Sequence, residues 1–148
     1  MLGKRPDFDV FGIDIAPNMI ALAKNNNPTV TFSVMDCRQI NELETKYDGI
    51  VCGFCLPYLS PADCTKFIND CYHLLEENGL IYISFVEGEP SESGFKVASM
   101  GARTYFYFYN LAALTKQLKE NKFDDIQVFK VVYNRSATEK ERHSIVIS

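Results

Sequence analysis

The sequence predicts an α/β domain, a largely parallel sheet with crossover helices that ends in an antiparallel hairpin. Three observations carry this reading. Short runs rich in β-branched and aromatic residues, apolar on both faces, recur along the chain as buried parallel strands do. Two connections between such runs show helical spacing and short loops, and parallel strands need crossovers of that kind. The last two runs, residues 126–133 and 142–147, flank the polar turn 134–141 and therefore pair as a hairpin.

Residues 8–15 (FDVFGIDI) form the first strand. Pro17 then sits where a first helical turn tolerates it. Met19, Ile20, Leu22 and Ala23 give that helix an apolar stripe, and Asn25-Asn26-Asn27-Pro28 ends it. Residues 30–34 make a second strand closed by Met35-Asp36, and 40–45 make a short helix or turn. A third strand, 48–52 (DGIVC), is followed by Gly53. Ser60 caps the next helix, Pro61 takes its first position and Asp63 complements its dipole. Cys64, Phe67, Ile68, Cys71, Leu74 and Leu75 fall on one face of it, and Asn78-Gly79 supplies a left-handed stop. Residues 80–86 (LIYISFV) form a fourth buried strand. The polar stretch 87–101 reads as a mobile segment, 105–109 (YFYFY) as a short strand, and Asn110 as the cap of a helix through Leu111, Leu114 and Leu118.

At 148 residues and 47% hydrophobic content, the chain reads as one domain, 1–148, able to bury a sizeable core. A formal net charge of −4 argues against a nucleic-acid surface, which shows a basic stripe. No apolar run approaches the roughly 18–20 residues of a membrane span, and residues 1–9 lack the apolar core of a signal peptide. Five cysteines, an odd number, without secretory signals indicate free thiols and a cytoplasmic protein.

Ligands of an open parallel sheet bind beyond the carboxyl ends of its strands. The first strand ends in Gly12-Ile13-Asp14-Ile15, and a carboxylate there can accept hydrogen bonds from both hydroxyls of a ribose. The alternative reading of Asp14 is a turn or cap residue ahead of Pro17. The second strand ends in Met35-Asp36-Cys37, where a carboxylate can accept from an exocyclic amine such as that of adenine. Two acids at consecutive strand ends describe one adenosine held by sugar and base. The third end, Cys52-Gly53-Phe54-Cys55-Leu56-Pro57-Tyr58-Leu59, is an apolar loop that either lines a transfer pocket or packs beneath residues 87–101.

These segments resemble class I, Rossmann-like S-adenosylmethionine-dependent methyltransferases. FGIDIAPNMIALAK is similar to their second motif, VMDCRQI to the third and YDGIVCGFCLPYLS to the fourth. LLEENGLIYIS resembles the passage that follows, and FYNLAALTKQLKENKFDDIQVF the approach to the terminal hairpin. The resemblance implies a seven-stranded sheet whose last strand inserts antiparallel. It implies S-adenosylmethionine as cofactor, with Asp14 on the ribose and Ile15 and Met19 near the adenine. Asp36 would take the adenine amine beside the Cys37 backbone, and Cys52 and Gly53 would complete the cofactor site. Phe54, Tyr58 and Tyr107 would shape the acceptor pocket. No catalytic base and no metal are implied.

The family's opening strand and D-x-G-x-G-x-G loop, where glycine lets backbone amides approach the methionine part, have no counterpart here. Only Gly3 precedes the first strand, so the expectation is a chain truncated at its N-terminus that lacks the usual first central strand. Unpaired backbone edges inside a core are costly, so the sheet is expected to rearrange or to be completed by another copy in a homo-oligomer.

Three functional readings follow. The first is methyl transfer to a small-molecule acceptor, impaired in this chain. The second is a catalytically silent, oligomeric truncated domain. The third is a nicotinamide-dependent oxidoreductase with Asp14 on the ribose, which Asp36 and the terminal hairpin disfavour. Cys52-x-x-Cys55 invites a redox or zinc reading, but a redox pair belongs at a helix N-terminus and zinc needs further ligands, so small buried thiols are the competing account. His73 reads as a surface residue and His143 as part of the terminal strand. The tyrosines of 105–109 shape an acceptor pocket or pack the sheet.

Overall fold

The computed structural model describes residues 8–97, 101, 103–134 and 140–148. They belong to two units, one within residues 1–43 and one within 44–148.

The first unit is a strand–helix–strand passage. Strand β1 (Phe11–Asp14) leads through helix α1 (Pro17–Asn26) to strand β2 (Thr31–Val34), and a 3-10 turn follows at Cys37–Glu42. β1 and β2 pair in parallel from Phe11↔Thr31 to Asp14↔Val34, as a helical crossover requires. Gly12 lies opposite Phe32, and a Cβ at Gly12 would stand 2.5 Å from Phe32 Cδ1, so the glycine makes room for the ring. Of the apolar stripe expected on α1, Ile20 is buried, whereas Met19 and Leu22 are about half exposed.

The second unit contains β3 (Tyr47–Gly53), α2 (Pro61–Leu74), β4 (Leu75–Val86), β5 (Gly94–Val97), β6 (Arg103–Phe106), α3 (Leu111–Glu120), β7 (Gln127–Asn134) and β8 (Lys140–Ile147). Its main sheet has the order β3-β4-β8-β7, with β3 and β4 parallel and β8 inserted antiparallel between β4 and β7. That insertion is what the resemblance implied. The core is built on fully buried Ile81, Ile83 and Phe85 of β4 and Val146 of β8, with Cys64, Ile68 and Cys71 of α2 and Leu118 of α3. Among the described residues β1 pairs only with β2, and β3 only with β4, so each keeps one edge without a strand partner.

The start of α2 follows its sequence closely. Ser60 Oγ accepts from the Asp63 amide, and Asp63 reaches back to the Ser60 amide, a reciprocal capping box. Its end does not. The helix stops at Leu74 because Leu75 already pairs with Tyr47 in the sheet. Asn78 does hold the left-handed conformation, φ 63°, but within β4 and not at a helix terminus. The segment expected to be mobile contains a 3-10 turn at Pro90–Glu92 and strand β5, which pairs antiparallel with β6, while residues 98–100 lie outside the described set. The aromatic strand expected at 105–109 begins earlier, at Arg103, and ends at Phe106, with Tyr109 making an isolated bridge to Glu87. Asn110 caps α3 as expected, its Oδ1 accepting from the Ala112 and Ala113 amides. The hairpin turn lies largely in residues 135–139, outside the described set.

Candidate cofactor and acceptor sites

In the first unit, the two acids singled out by sequence stand at neighbouring strand ends. Asp14 is the last residue of β1, and its carbonyl accepts from the Met35 amide at 3.1 Å, which places Asp36 one residue beyond the same junction. Asp14 Oδ1 accepts from the Ala16 amide at 2.8 Å, so the turn role is real for that oxygen. Oδ2 has no partner among the described residues and can accept from a ligand hydroxyl.

Asp36 is more fully engaged. Its Oδ1 accepts from the Arg38 amide and from Arg38 Nε, both at 2.9 Å, and its Oδ2 lies 2.8 Å from Arg38 Nη2. The Arg38 side-chain hydrogen bond, against the opposing effect of burial, holds the Asp36 carboxyl below the usual carboxylate range. Ile15 and Met19 are exposed at 59% and 48%, available to pack on a planar ring, and Cys37, half-buried, opens the 3-10 turn that Asp36 caps.

In the second unit, Cys52 is buried near the end of β3 and Gly53 closes the strand. Phe54 follows with φ 53°, a left-handed conformation that costs a non-glycine residue about 1–2 kcal/mol. Its amide donates to the Ser84 carbonyl at 2.9 Å, which holds the strained residue in place. The Phe54 ring meets His143 edge-on at 4.9 Å, and His143 stacks on Tyr133 at 5.2 Å. Sequence reasoning left His143 without a role near the strand ends. The antiparallel register, Val86↔His143, brings it there, and no local signal reveals such a pairing.

Tyr58 lies in the short 3-10 turn Leu56–Tyr58 and meets Phe106 at 6.1 Å, while the Tyr107 amide donates to the Pro57 carbonyl at 2.8 Å. The loops carrying Tyr58 and Tyr107 are thus joined, and the Phe54 ring packs on His143. Nearby, Glu87 accepts from Ser144 Oγ at 2.8 Å and pairs with Lys130 at 3.3 Å. Burial alone would raise the Glu87 carboxyl, but Ser144, Lys130 and Arg142 together bring it below its ordinary value.

Of the five cysteines, Cys52, Cys64 and Cys71 are buried and Cys37 and Cys55 half-buried. Burial pushes the Cys64 thiol up to about 11, and burial beside Cys64 raises the Tyr109 phenol as well. Cys52, Cys64 and Cys71 are thus the small buried thiols of the sequence reading, whereas Cys55 is only partly covered. Among the described residues no group of three or more His, Cys, Asp or Glu can hold a metal ion, and no helix is long and apolar enough to cross a membrane.

A family profile described as a methyltransferase domain matches residues 1–79. A viral protein named as a methyltransferase, 235L of Invertebrate iridescent virus 6, is 45% identical over 53 residues. That match covers 36% of this chain and 20% of the viral protein, so the chain spans about a fifth of that relative's length. An S-adenosylmethionine-dependent methyltransferase from Clostridium acetobutylicum superposes with a TM-score of 0.68 at 12% identity, covering 94% of this chain and 74% of the other. One from Methanosarcina mazei gives 0.72 at 16% identity, covering 93% and 80%. The magnesium protoporphyrin IX methyltransferase of Synechocystis, solved with bound S-adenosylmethionine, gives 0.62 at 17% identity, covering 93% and 58%. The chain belongs to the methyltransferase domain family, and its fold is that of the class I S-adenosylmethionine-dependent enzymes.

Proposed function

We propose that this chain takes up the adenosyl part of S-adenosylmethionine in its first unit and serves methyl transfer to a small-molecule acceptor. The observation that carries the reading is the Met35–Asp14 hydrogen bond, which sets two carboxylates at adjoining parallel strand ends. Asp14 Oδ2 is open to ribose hydroxyls, so the donor set fits a nucleoside at that position. Ile15 and Met19 offer exposed apolar surface for the base. Asp36 is ionised at neutral pH and can accept from an exocyclic amine once Arg38 withdraws. The cofactor, when bound, supplies a methyl group already activated on a sulfonium, so the protein's task is orientation and exclusion of water. In the second unit, Phe54, Tyr58 and Tyr107 provide the aromatic surface proposed for the acceptor, next to the strand end formed by Cys52 and Gly53.

A second reading, a domain that does not turn over, is favoured by the Arg38 contacts that fill the Asp36 carboxylate. Calorimetric titration with S-adenosylmethionine and S-adenosylhomocysteine separates the two. Micromolar binding that Asp14→Ala abolishes supports the working site. Absence of heat with either ligand leaves the silent domain as the correct account.

A further inference from the structure

The second unit contains a cavity of about 450 Å³ between the first turns of α2 and α3 and the segment that follows β6. Its volume falls in the range that holds small organic ligands, ~300–1,000 Å³. Tyr105, Tyr107, Phe108 and Tyr109 supply aromatic walls, and Ala113 and Leu114 of α3 an aliphatic one. Tyr105 and Tyr107 stand 4.6 Å apart, and Tyr105 is braced from behind by Phe95 at 5.2 Å, itself covered by Arg103 at 4.3 Å. These ring contacts restrict Tyr105 and Tyr107 in the absence of a ligand, which lowers the ordering cost of binding.

The polar groups of the wall decide the chemistry of the occupant. Asn110 Oδ1 accepts two α3 amides and its Nδ2 donates to Glu89. Gln117 donates to Thr65 and accepts from the Cys64 thiol at 3.9 Å. These amides are spent on the fold. Among the described residues that line the cavity there is no lysine or arginine, and the single carboxylate, Glu120, pairs with Lys116 at 3.7 Å. The cation beside the wall, Lys96, lies over the Phe108 ring at 5.4 Å, engaged with its π face, and Glu120 is 63% exposed, where water screens it, so neither offers a buried counter-charge to an ion in the cavity. By contrast, the Tyr105 and Tyr107 hydroxyls have no hydrogen-bond partner among the described residues.

We propose that this cavity binds an uncharged, planar aromatic molecule bearing a hydroxyl group, stacked on the tyrosine walls and hydrogen-bonded to a tyrosine hydroxyl. The site stands on the second unit alone and does not depend on cofactor uptake by the first. The probe is 1-naphthol, titrated calorimetrically against the full chain beside the anion 1-naphthoate and the cation 1-naphthylmethylammonium. Saturable 1-naphthol binding is expected, at least tenfold tighter than either ion. Ala113→Phe fills the cavity from an exposed helical position and should weaken it at least tenfold, with the far-ultraviolet circular dichroism unchanged. Tyr105→Leu should weaken it as well, and serves as the reading should Ala113→Phe fail to fold. Unsaturable heats, equal affinity for an ion, or wild-type affinity in the folded variants would each overturn the proposal.

Discussion

Arg38 closes on the Asp36 carboxylate from two nitrogens, Nε at 2.9 and 3.0 Å from its two oxygens and Nη2 at 2.8 Å from Oδ2. The guanidinium therefore occupies the position proposed for the adenine amine. Arg38→Met is expected to tighten S-adenosylhomocysteine binding several-fold, and Asp36→Asn to weaken it. The contact also has a pH signature. Because Arg38 lowers the folded-state value of Asp36, its stabilisation is present above the unfolded carboxylate range and is lost as pH falls through the folded value. The difference in unfolding midpoint between wild type and Arg38→Met should accordingly shrink to nothing on acidification. A difference that persists at low pH would show that Arg38 acts through packing alone.

Gly12 and Phe32 are cross-strand partners with no space for a Cβ between them. Gly12→Ala should cost about 1 kcal/mol, at the low end for overpacking because the half-buried Phe32 ring can swing aside. Urea unfolding checks this, and Phe32→Leu in the same chain should restore most of the loss. The strand end carrying Asp14 shifts with Gly12, so ligand affinity should fall together with stability.

Ser60 and Asp63 cap α2 reciprocally. Ser60→Ala should destabilise the second unit by about 1 kcal/mol, measured by the same unfolding experiment. Combining it with Asp63→Ala should cost less than the sum of the two single changes, because both break one box.

The Cys64 thiol, pushed up to about 11 by burial, is protonated at neutral pH and closed to solvent. Iodoacetamide applied to the native chain should modify Cys37 and Cys55 first and leave Cys64 and Cys71 untouched until unfolding. Peptide mass mapping reads the order. Early labelling of Cys64 would show that α2 opens readily.

Strand β3 keeps one edge unpaired among the described residues, with Val51 on it 61% exposed. Main-chain groups along such an edge are a template for another strand. Light scattering is expected to give a mass that rises above one chain with concentration, and Val51→Lys to return it towards one chain. A single-chain mass at every concentration would remove this expectation.

The features legible in the sequence are those whose causes lie within a few residues. Ser60, Pro61 and Asp63 declare the start of α2, Asn110 declares that of α3, and the apolar runs mark every strand of the main sheet. The end of α2 was misplaced because Leu75 is claimed by Tyr47, a partner far away along the chain. Strand β5 escaped notice because Gly94–Val97 is short and largely exposed, and it exists only through its pairing with β6. At the candidate site, strand-end chemistry pointed to Asp14 and Asp36. The Arg38 clamp depends on the tight 3-10 turn after Asp36, and the meeting of Phe54 with His143 depends on the register of the last strand. Neither leaves a local trace.

Strand β8 is the last described strand along the chain, yet it lies inside the sheet, between β4 and β7. Its end is stitched to β4 by reciprocal hydrogen bonds between Ile81 and Ser148, at 2.8 and 3.1 Å. During synthesis, β3, β4 and β7 all leave the ribosome before the strand that joins them. The β3–β4 pair must wait with the bare flank of β4 facing solvent or a chaperone, and β7 has nothing to join until its hairpin partner emerges. For this unit, the most vulnerable interval lasts until β8 emerges, when that one segment converts two separate pieces into a sheet.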